Sequence, residues 1–302
     1  MAAPKKVVVF GVTGNQGASV ARALLEHKDK WEVWGVTRNP DSGSSKRKLL
    51  KLIKGDLDDP QSYAKGLEGA YASFVNANFW IAYKGNNSDE AAEIEFTQSS
   101  SAVEASAKAG VKHVVYSTLE SYKPRQDLPH FDAKARVTEY MKKNNIPGTQ
   151  LYTSFFFQNL GMAKWDEGKD GKRILHLELP DDAQMPGFSV DDVGYWVRAA
   201  LEDPQKWIGK DMEACTEVVS PKRICEVLTQ LSGKQWDTQH WSRDAFMEHK
   251  NKMDGELWLN YFAFANGEMK RDVEASRKIA PQAKDFTQWL KDSPKVQEHF
   301  GF

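Results

Sequence analysis

The sequence predicts an α/β protein: a doubly wound parallel sheet with a smaller mixed α/β lobe in the carboxyl-terminal half. Three observations predict it. Short strand-like runs alternate with longer helix-like segments through the first 153 residues, the pattern of successive βα units in a parallel sheet. The first run, Val7-Val-Val-Phe10, passes directly into glycines spaced G-x-x-G-x-x-G at Gly11, Gly14 and Gly17. After about Ser154 the alternation loosens into Gly, Asp and Lys turns. A chain of 302 residues, 40% of them hydrophobic, can bury a large core. It divides into a domain over residues 1–153, to which the chain returns near 186–214, and a lobe formed mainly by residues 154–302.

The elements follow in order. Lys5 to Phe10 reads as the first strand and Ala18 to Glu26 as its helix. Further strands fall at Glu32 to Thr37, Leu52 to Lys54, Ala70 to Val75, Lys112 to Ser117 and Gly148 to Thr153. Helices fall at Gln61 to Leu67, Ala91 to Ala109 and Ala133 to Lys143. Gly110 stands where a helix C-cap belongs, and Pro147 and Gly148 mark the approach to the sixth strand. Beyond it come a strand at Arg173 to Leu179 and helices near Asp191 to Glu202 and Pro221 to Leu231. The stretch Phe188-Ser-Val-Asp191-Asp192-Val-Gly194 reads as a strand ending in a helix N-cap with a structural role. Trp165, Trp196, Trp207, Trp236, Trp241, Trp258 and Trp289 lie in the second half and suit an aromatic core better than a ligand-stacking box.

The glycine run carries the first functional signal. Gly11 permits a tight turn, Gly14 lets backbone N–H groups approach a pyrophosphate, and Gly17 allows a helix to pack closely on its strand. Phosphates then meet the positive end of the helix dipole. A tight strand-to-helix turn needs glycine with or without a ligand, so context decides. About twenty residues beyond Gly17, where NAD pockets place a carboxylate on the ribose 2′-hydroxyl, the sequence has Arg38. A guanidinium grips a 2′-phosphate that a carboxylate would repel, so the pocket reads as one for NADP(H). Lys46, Arg47 and Lys48 extend the positive patch, beyond a short loop at Ser42 to Ser45; Lys84 to Asp89 reads as another loop.

Composition excludes several classes. Lysine plus arginine total 41 against 42 acids, a formal charge of −1, which argues against direct binding of nucleic acid or an anionic membrane. Cys215 and Cys225 are the only cysteines; no Cys/His cluster at metal spacing appears, so no metal is expected and the thiols suit a reducing compartment. The apolar run after Lys5 and Lys6 is too short for a signal or a span. The expectation is a cytoplasmic protein, with nuclear access left open.

Together with Thr37-Arg38, Gly55-Asp56, Asn78-Phe79-Trp80, Val114-Val-Tyr-Ser117-Thr-Leu-Glu120, His130-Phe-Asp-Ala-Lys134 and Phe155-Phe-Phe-Gln-Asn159, the glycine run resembles the NmrA-like family. These are atypical extended short-chain dehydrogenases/reductases on a Rossmann sheet, and the chain is similar to their HSCARG-type NADP(H) sensors. The resemblance spans essentially the whole chain. It implies a cofactor site formed by Gly11, Thr13, Gly14, Asn15, Gln16, Gly17, Arg38, Asp56, Leu57, Ala77, Asn78, Phe79, Lys134, Phe156, Phe157, Gln158 and Asn159. Three consecutive phenylalanines fit a core equally well, and Asp56 fits a simple turn.

In the wider superfamily a Tyr four residues before a Lys moves the proton, and a Ser or Thr after the fifth strand orients the carbonyl. Here Lys134 is present, but His130 holds the Tyr position; Thr118 and Ser117 are candidates for the hydroxyl role. Imidazole can act as acid or base near neutrality, though its charged form is disfavoured beside an ammonium and an oxidised nicotinamide. A packing role at the helix start before Ala133 is the plainer reading of His130. Tyr122 and Tyr140 do not supply the missing phenol, Tyr140 being six residues beyond Lys134 and turned from its face.

An intact pocket beside an incomplete catalytic set implies a regulatory NADP(H) sensor acting through an unidentified protein partner, with a homodimer as one outcome of cofactor binding. The alternative is an NADPH-dependent oxidoreductase for a quinone or similar acceptor that needs no phenolic proton donor. No helix-turn-helix signal or basic stripe supports direct action on DNA.

Overall fold

The computed structural model describes residues 3–41 and 50–302; the Ser42 to Ser45 loop and the Lys46, Arg47 and Lys48 patch lie outside the described residues. The chain forms two compact units, Met1–Thr153 with Val190–Glu213, and Ser154–Ser189 with Ala214–Phe302.

In the first unit the chain runs β1 (Lys5–Val9), α1 (Asn15–Leu25), β2 (Trp31–Thr37), β3 (Lys51–Lys54), α2 (Pro60–Ala64), β4 (Ala72–Val75), α3 (Phe79–Ala82), α4 (Ser88–Lys108), β5 (His113–Thr118), α5 (Pro129–Lys143) and β6 (Gly148–Tyr152). It re-enters this unit for α6 (Val193–Glu202) and a last strand, Asp211–Glu213. The sheet order is β3-β2-β1-β4-β5-β6 followed by Asp211–Glu213, and every pairing is parallel. Strand order therefore reverses between β1 and β4, the switch point beyond whose carboxyl ends open α/β sheets bind ligands. Strands buried on both faces read as unbroken apolar runs: Val7, Val8 and Val9 are fully buried, as are Val114 and Val115.

The fold class agrees with the sequence reading, and several boundaries differ. The helix expected from Ala133 begins at Pro129, because proline fits the first helical turn, where its missing N–H costs nothing. The 79–82 turn is a short helix capped by Asn78, whose side chain accepts from Trp80 N. The strand expected over Arg173 to Leu179 ends at His176. The helix N-cap falls at Asp192, inside the 188–194 stretch as read, but a 3-10 turn over residues 190–192 separates it from the strand and the Asp192 side chain makes no cap bond.

The second unit has two three-stranded sheets, each mixing a parallel and an antiparallel pairing. One joins Glu217–Val219, Met185–Phe188 and Phe155–Phe156; the other joins Trp236–Thr238, Arg173–His176 and Lys164–Glu167. Three of its tryptophans, Trp236, Trp258 and Trp289, are core, with Phe157 packed on Phe286 and Trp289 at 5.2 and 5.4 Å, while Trp165 and Trp241 are only half-buried. Neither cysteine is in a disulfide, and both are buried.

Candidate functional site

The phosphate turn follows from three glycines, each with a different steric demand. Gly11 has φ +62°, a left-handed conformation natural to glycine. A Cβ on Gly17 would lie 2.3 Å from the Gly11 carbonyl oxygen, so only glycine lets α1 start this close to β1. Gly14 is the α1 cap residue; it offers no side-chain bond to the leading N–H groups, and no acid sits in the first turn. Gly11, Thr13, Gly14 and Asn15 are exposed. The result is a bare, positively polarised helix start at the switch point, a cradle that suits a pyrophosphate.

Arg38 lies just past β2, exposed and without an ion-pair partner among the described residues. Asp56, after β3, accepts the Asp58 N–H on one carboxylate oxygen at 3.2 Å and donates its own N–H to Ser62 Oγ at 2.9 Å; these are turn contacts. Leu57 is half-buried beside it. After β4, Ala77 is buried and Asn78 exposed, and the Asn76 carbonyl comes within 3.6 Å of where a Gly11 Cβ would stand. The glycine turn and the β4 exit are thus neighbours.

Adjacent residues on a strand point to opposite faces, and this separates the two hydroxyls at the end of β5. Ser117 donates to Gln16 Oε1 at 2.8 Å, reaching the first turn of α1. Thr118 is buried against α5, bonded to Thr138 Oγ1 at 2.8 Å and the Lys134 carbonyl at 3.2 Å. Its hydroxyl is held by the interior, so the structure brings Ser117, not Thr118, to the glycine turn.

The polar centre of the unit joins α4, α5 and the β4 exit. Lys134, 6% exposed at its side chain, sets its ammonium 3.0 Å from Glu95 Oε1 and donates to Asn76 Oδ1 at 3.3 Å. His130, one helical turn earlier, places Nδ1 3.5 Å from Glu95 Oε2. The Phe79 N–H donates to Glu95 Oε1 at 3.3 Å. Burial alone would raise the Glu95 carboxyl, but Lys134 and His130 together outweigh it and hold it below the usual carboxylate range. The Tyr116 phenol beside it is pushed well above its ordinary value by burial. His130 packs on Phe79 at 4.9 Å and Trp80 at 5.3 Å. Trp80 and Ile81, 44% and 68% exposed, form an apolar lip next to it.

Glu95 is the residue of the candidate site that the sequence reading missed. The buried face of α4 is Ala91, Ala92, Glu95, Ser99, Ala102, Val103 and Ser106, a helical stripe of small residues broken by one carboxylate. A buried acid in such a stripe needs a buried cation, and Lys134 is the one provided.

Phe156, Phe157, Gln158 and Asn159 belong to the second unit. The Phe157 ring is core, Gln158 donates to Ser189 Oγ at 2.8 Å, Phe156 is half-buried and Asn159 exposed. Among the described residues, no group of His, Cys, Asp and Glu could hold a metal, and no helix is long and apolar enough to cross a membrane.

Fold and site together define an open-sheet α/β protein of the dinucleotide-binding class. The profile of the NmrA-like family matches residues 3–290. A relative named NmrA-like family domain-containing oxidoreductase malD, from Malbranchea aurantiaca, is 33% identical over 255 residues, 76% of this chain and 73% of its own length. The oxidoreductase ptmS of Penicillium ochrochloron is 28% identical over 258 residues, 76% of this chain and 74% of its own. The chain belongs to the NmrA-like family. Among solved structures, NmrA, a negative transcriptional regulator in complex with NADP, superposes with TM-score 0.77 at 20% identity over 100% of this chain and 99% of that one. An NADPH-dependent quinone oxidoreductase from Escherichia coli, complexed with NADPH, gives 0.74 at 16% identity, over 95% and 99%. At these identities the likeness is one of fold.

Proposed function

We propose that this protein binds NADP(H) and serves as a regulatory sensor of it, signalling to a protein partner. The observation that carries the reading is an open glycine turn, an exposed Arg38 with no ion-pair partner among the described residues, and a His130–Lys134 pair where a Tyr–Lys pair would move the proton. The glycine turn would hold the pyrophosphate, Arg38 the 2′-phosphate and Lys134 the nicotinamide ribose. The solved relatives that carry NADP and NADPH support the cofactor. The groups left at the chemical end, Lys134 and His130, both face Glu95, a set that binds and orients more readily than it protonates.

Calorimetric titration tests this. NADPH and NADP⁺ should bind in the micromolar range, and Arg38→Ala should weaken both by about tenfold while sparing NADH, as loss of one charge-assisted phosphate contact predicts. Binding should also alter oligomeric state, protease sensitivity or capture of a partner. If neither form binds, or binding changes none of these, the reading fails.

The relatives named oxidoreductases and the lip of Trp80 and Ile81 beside His130 favour a second reading, reduction of a flat quinone-like acceptor. A nicotinamide held there would supply hydride to the acceptor, with His130 or solvent as the source of the proton. NADPH oxidation across quinones and aldehydes, lost in His130→Ala and Lys134→Ala, would select this reading over the first.

A further inference from the structure

We propose that the buried cluster of Glu95, Lys134 and His130 determines, through its net charge, which redox state of the cofactor the protein prefers. This rests on the reading above that the nicotinamide end of NADP(H) meets Lys134. The oxidised ring carries a positive charge and the reduced ring none, so the two forms differ by one unit of charge at that end. The cluster contains one carboxylate and one ammonium 3.0 Å apart, and an imidazole 3.5 Å from the same carboxylate. With the imidazole neutral the three groups sum to zero; with it protonated they sum to +1. Their side chains are 1%, 6% and 12% exposed, so solvent and salt screen them weakly.

Among the described residues, the neighbours named next add no net charge to that count. From the β4 exit come the Asn76 amide and the Phe79 N–H, both uncharged. From β5 comes Tyr116, whose phenol stays neutral. On α4 the buried Ser99 is one turn from Glu95. On α5, Asp132 is taken up by Ser121, the Leu128 N–H and Lys123, and Arg136 pairs outward with Glu93. Removing the ammonium leaves the cluster one unit more negative and favours NADP⁺, and removing the carboxylate leaves it one unit more positive and favours NADPH. A ligand pair bound equally well shifts nothing; the charge of this cluster supplies the difference a sensor needs.

The quantity to measure is the ratio of the NADP⁺ to the NADPH dissociation constant, on the full chain at fixed ionic strength. Losses common to both forms, including the 2′-phosphate's own titration, cancel in it. At about pH 8.5, Glu95→Gln should raise the ratio about tenfold and Lys134→Met should lower it by a similar factor, since each changes the cluster by one charge of opposite sign. If Glu95→Gln does not fold, the Lys134→Met ratio still decides. Binding of both forms at a ratio constant within about twofold across the variants overturns this proposal while leaving the parent reading standing. Binding of neither form overturns both.

Discussion

His113, at the start of β5, is fully buried with Nε2 2.8 Å from Thr149 Oγ1, and burial pushes its imidazole down to about 4. In the unfolded chain the same group takes up a proton near its ordinary value of about 6.5. Between those values the unfolded state binds more protons, so stability rises with pH there. The contribution is complete above about pH 6.5 and is lost as pH falls toward about 4, amounting to about 3 kcal/mol. Denaturant unfolding at about pH 7 and about pH 4.5 should show a smaller acid loss in His113→Gln than in the unmodified chain; equal losses would remove His113 from the account. Single residues also mark where sequence reading stops. Gly11, Gly17 and Arg38 are legible because their meaning is local: a positive φ, a close approach, a cation at a fixed distance along the chain. Glu95 is not, because its partners come from a helix about forty residues away and only packing reveals them. Thr118 looks as good as Ser117 in sequence, and only strand register decides which side each faces.

Elements were the most legible scale, since period and punctuation are written along the chain, and the misplacements have local causes. Pro129 starts α5 a turn earlier than its apolar pattern suggests, which puts His130 inside the helix, one turn from Lys134. The 188–194 stretch was expected to matter for stability through an N-cap. It does so through close packing instead: Ser19 Oγ on α1 donates to the Asp191 carbonyl at 2.6 Å and accepts the Gly194 N–H at 3.0 Å. A Cβ on Gly194 would lie 2.4 Å from the Ser19 carbonyl oxygen and 2.6 Å from Ala23 Cβ. Because α1 already starts tight against the β1 turn, where a Cβ on Gly17 would lie 2.3 Å from the Gly11 carbonyl oxygen, Gly194→Ala is expected to displace α6 rather than α1. Overpacking of this kind costs about 1–3 kcal/mol. Thermal unfolding should show the drop, while NADPH affinity measured well below the transition should hold within about threefold, a shift of less than one kcal/mol. Weakened binding without lost stability would contradict the packing account.

At the scale of the whole molecule, the first unit is discontinuous in sequence, and its last two elements arrive only after the chain has left it at Thr153 and returned at Val190. Those elements are integral to it. The strand Asp211–Glu213 pairs in parallel with β6 and closes that edge of the sheet, and α6 lies on α1 with Val193, Trp196, Val197 and Leu201 buried. At about 2 kcal/mol for each large apolar side chain withdrawn from water, these four are worth about as much as the net stability of an ordinary domain, about 5–15 kcal/mol. Residues 1–153 alone, although they hold the whole βα alternation and the phosphate turn, should therefore fail to unfold cooperatively. They should bind a hydrophobic dye and show no saturable NADPH binding. A chain carrying residues 1–153 joined through a flexible linker to 190–213 should recover a cooperative transition by circular dichroism. If the 1–153 fragment melts cooperatively by itself, the returning segment is an accessory to the unit and not part of its core.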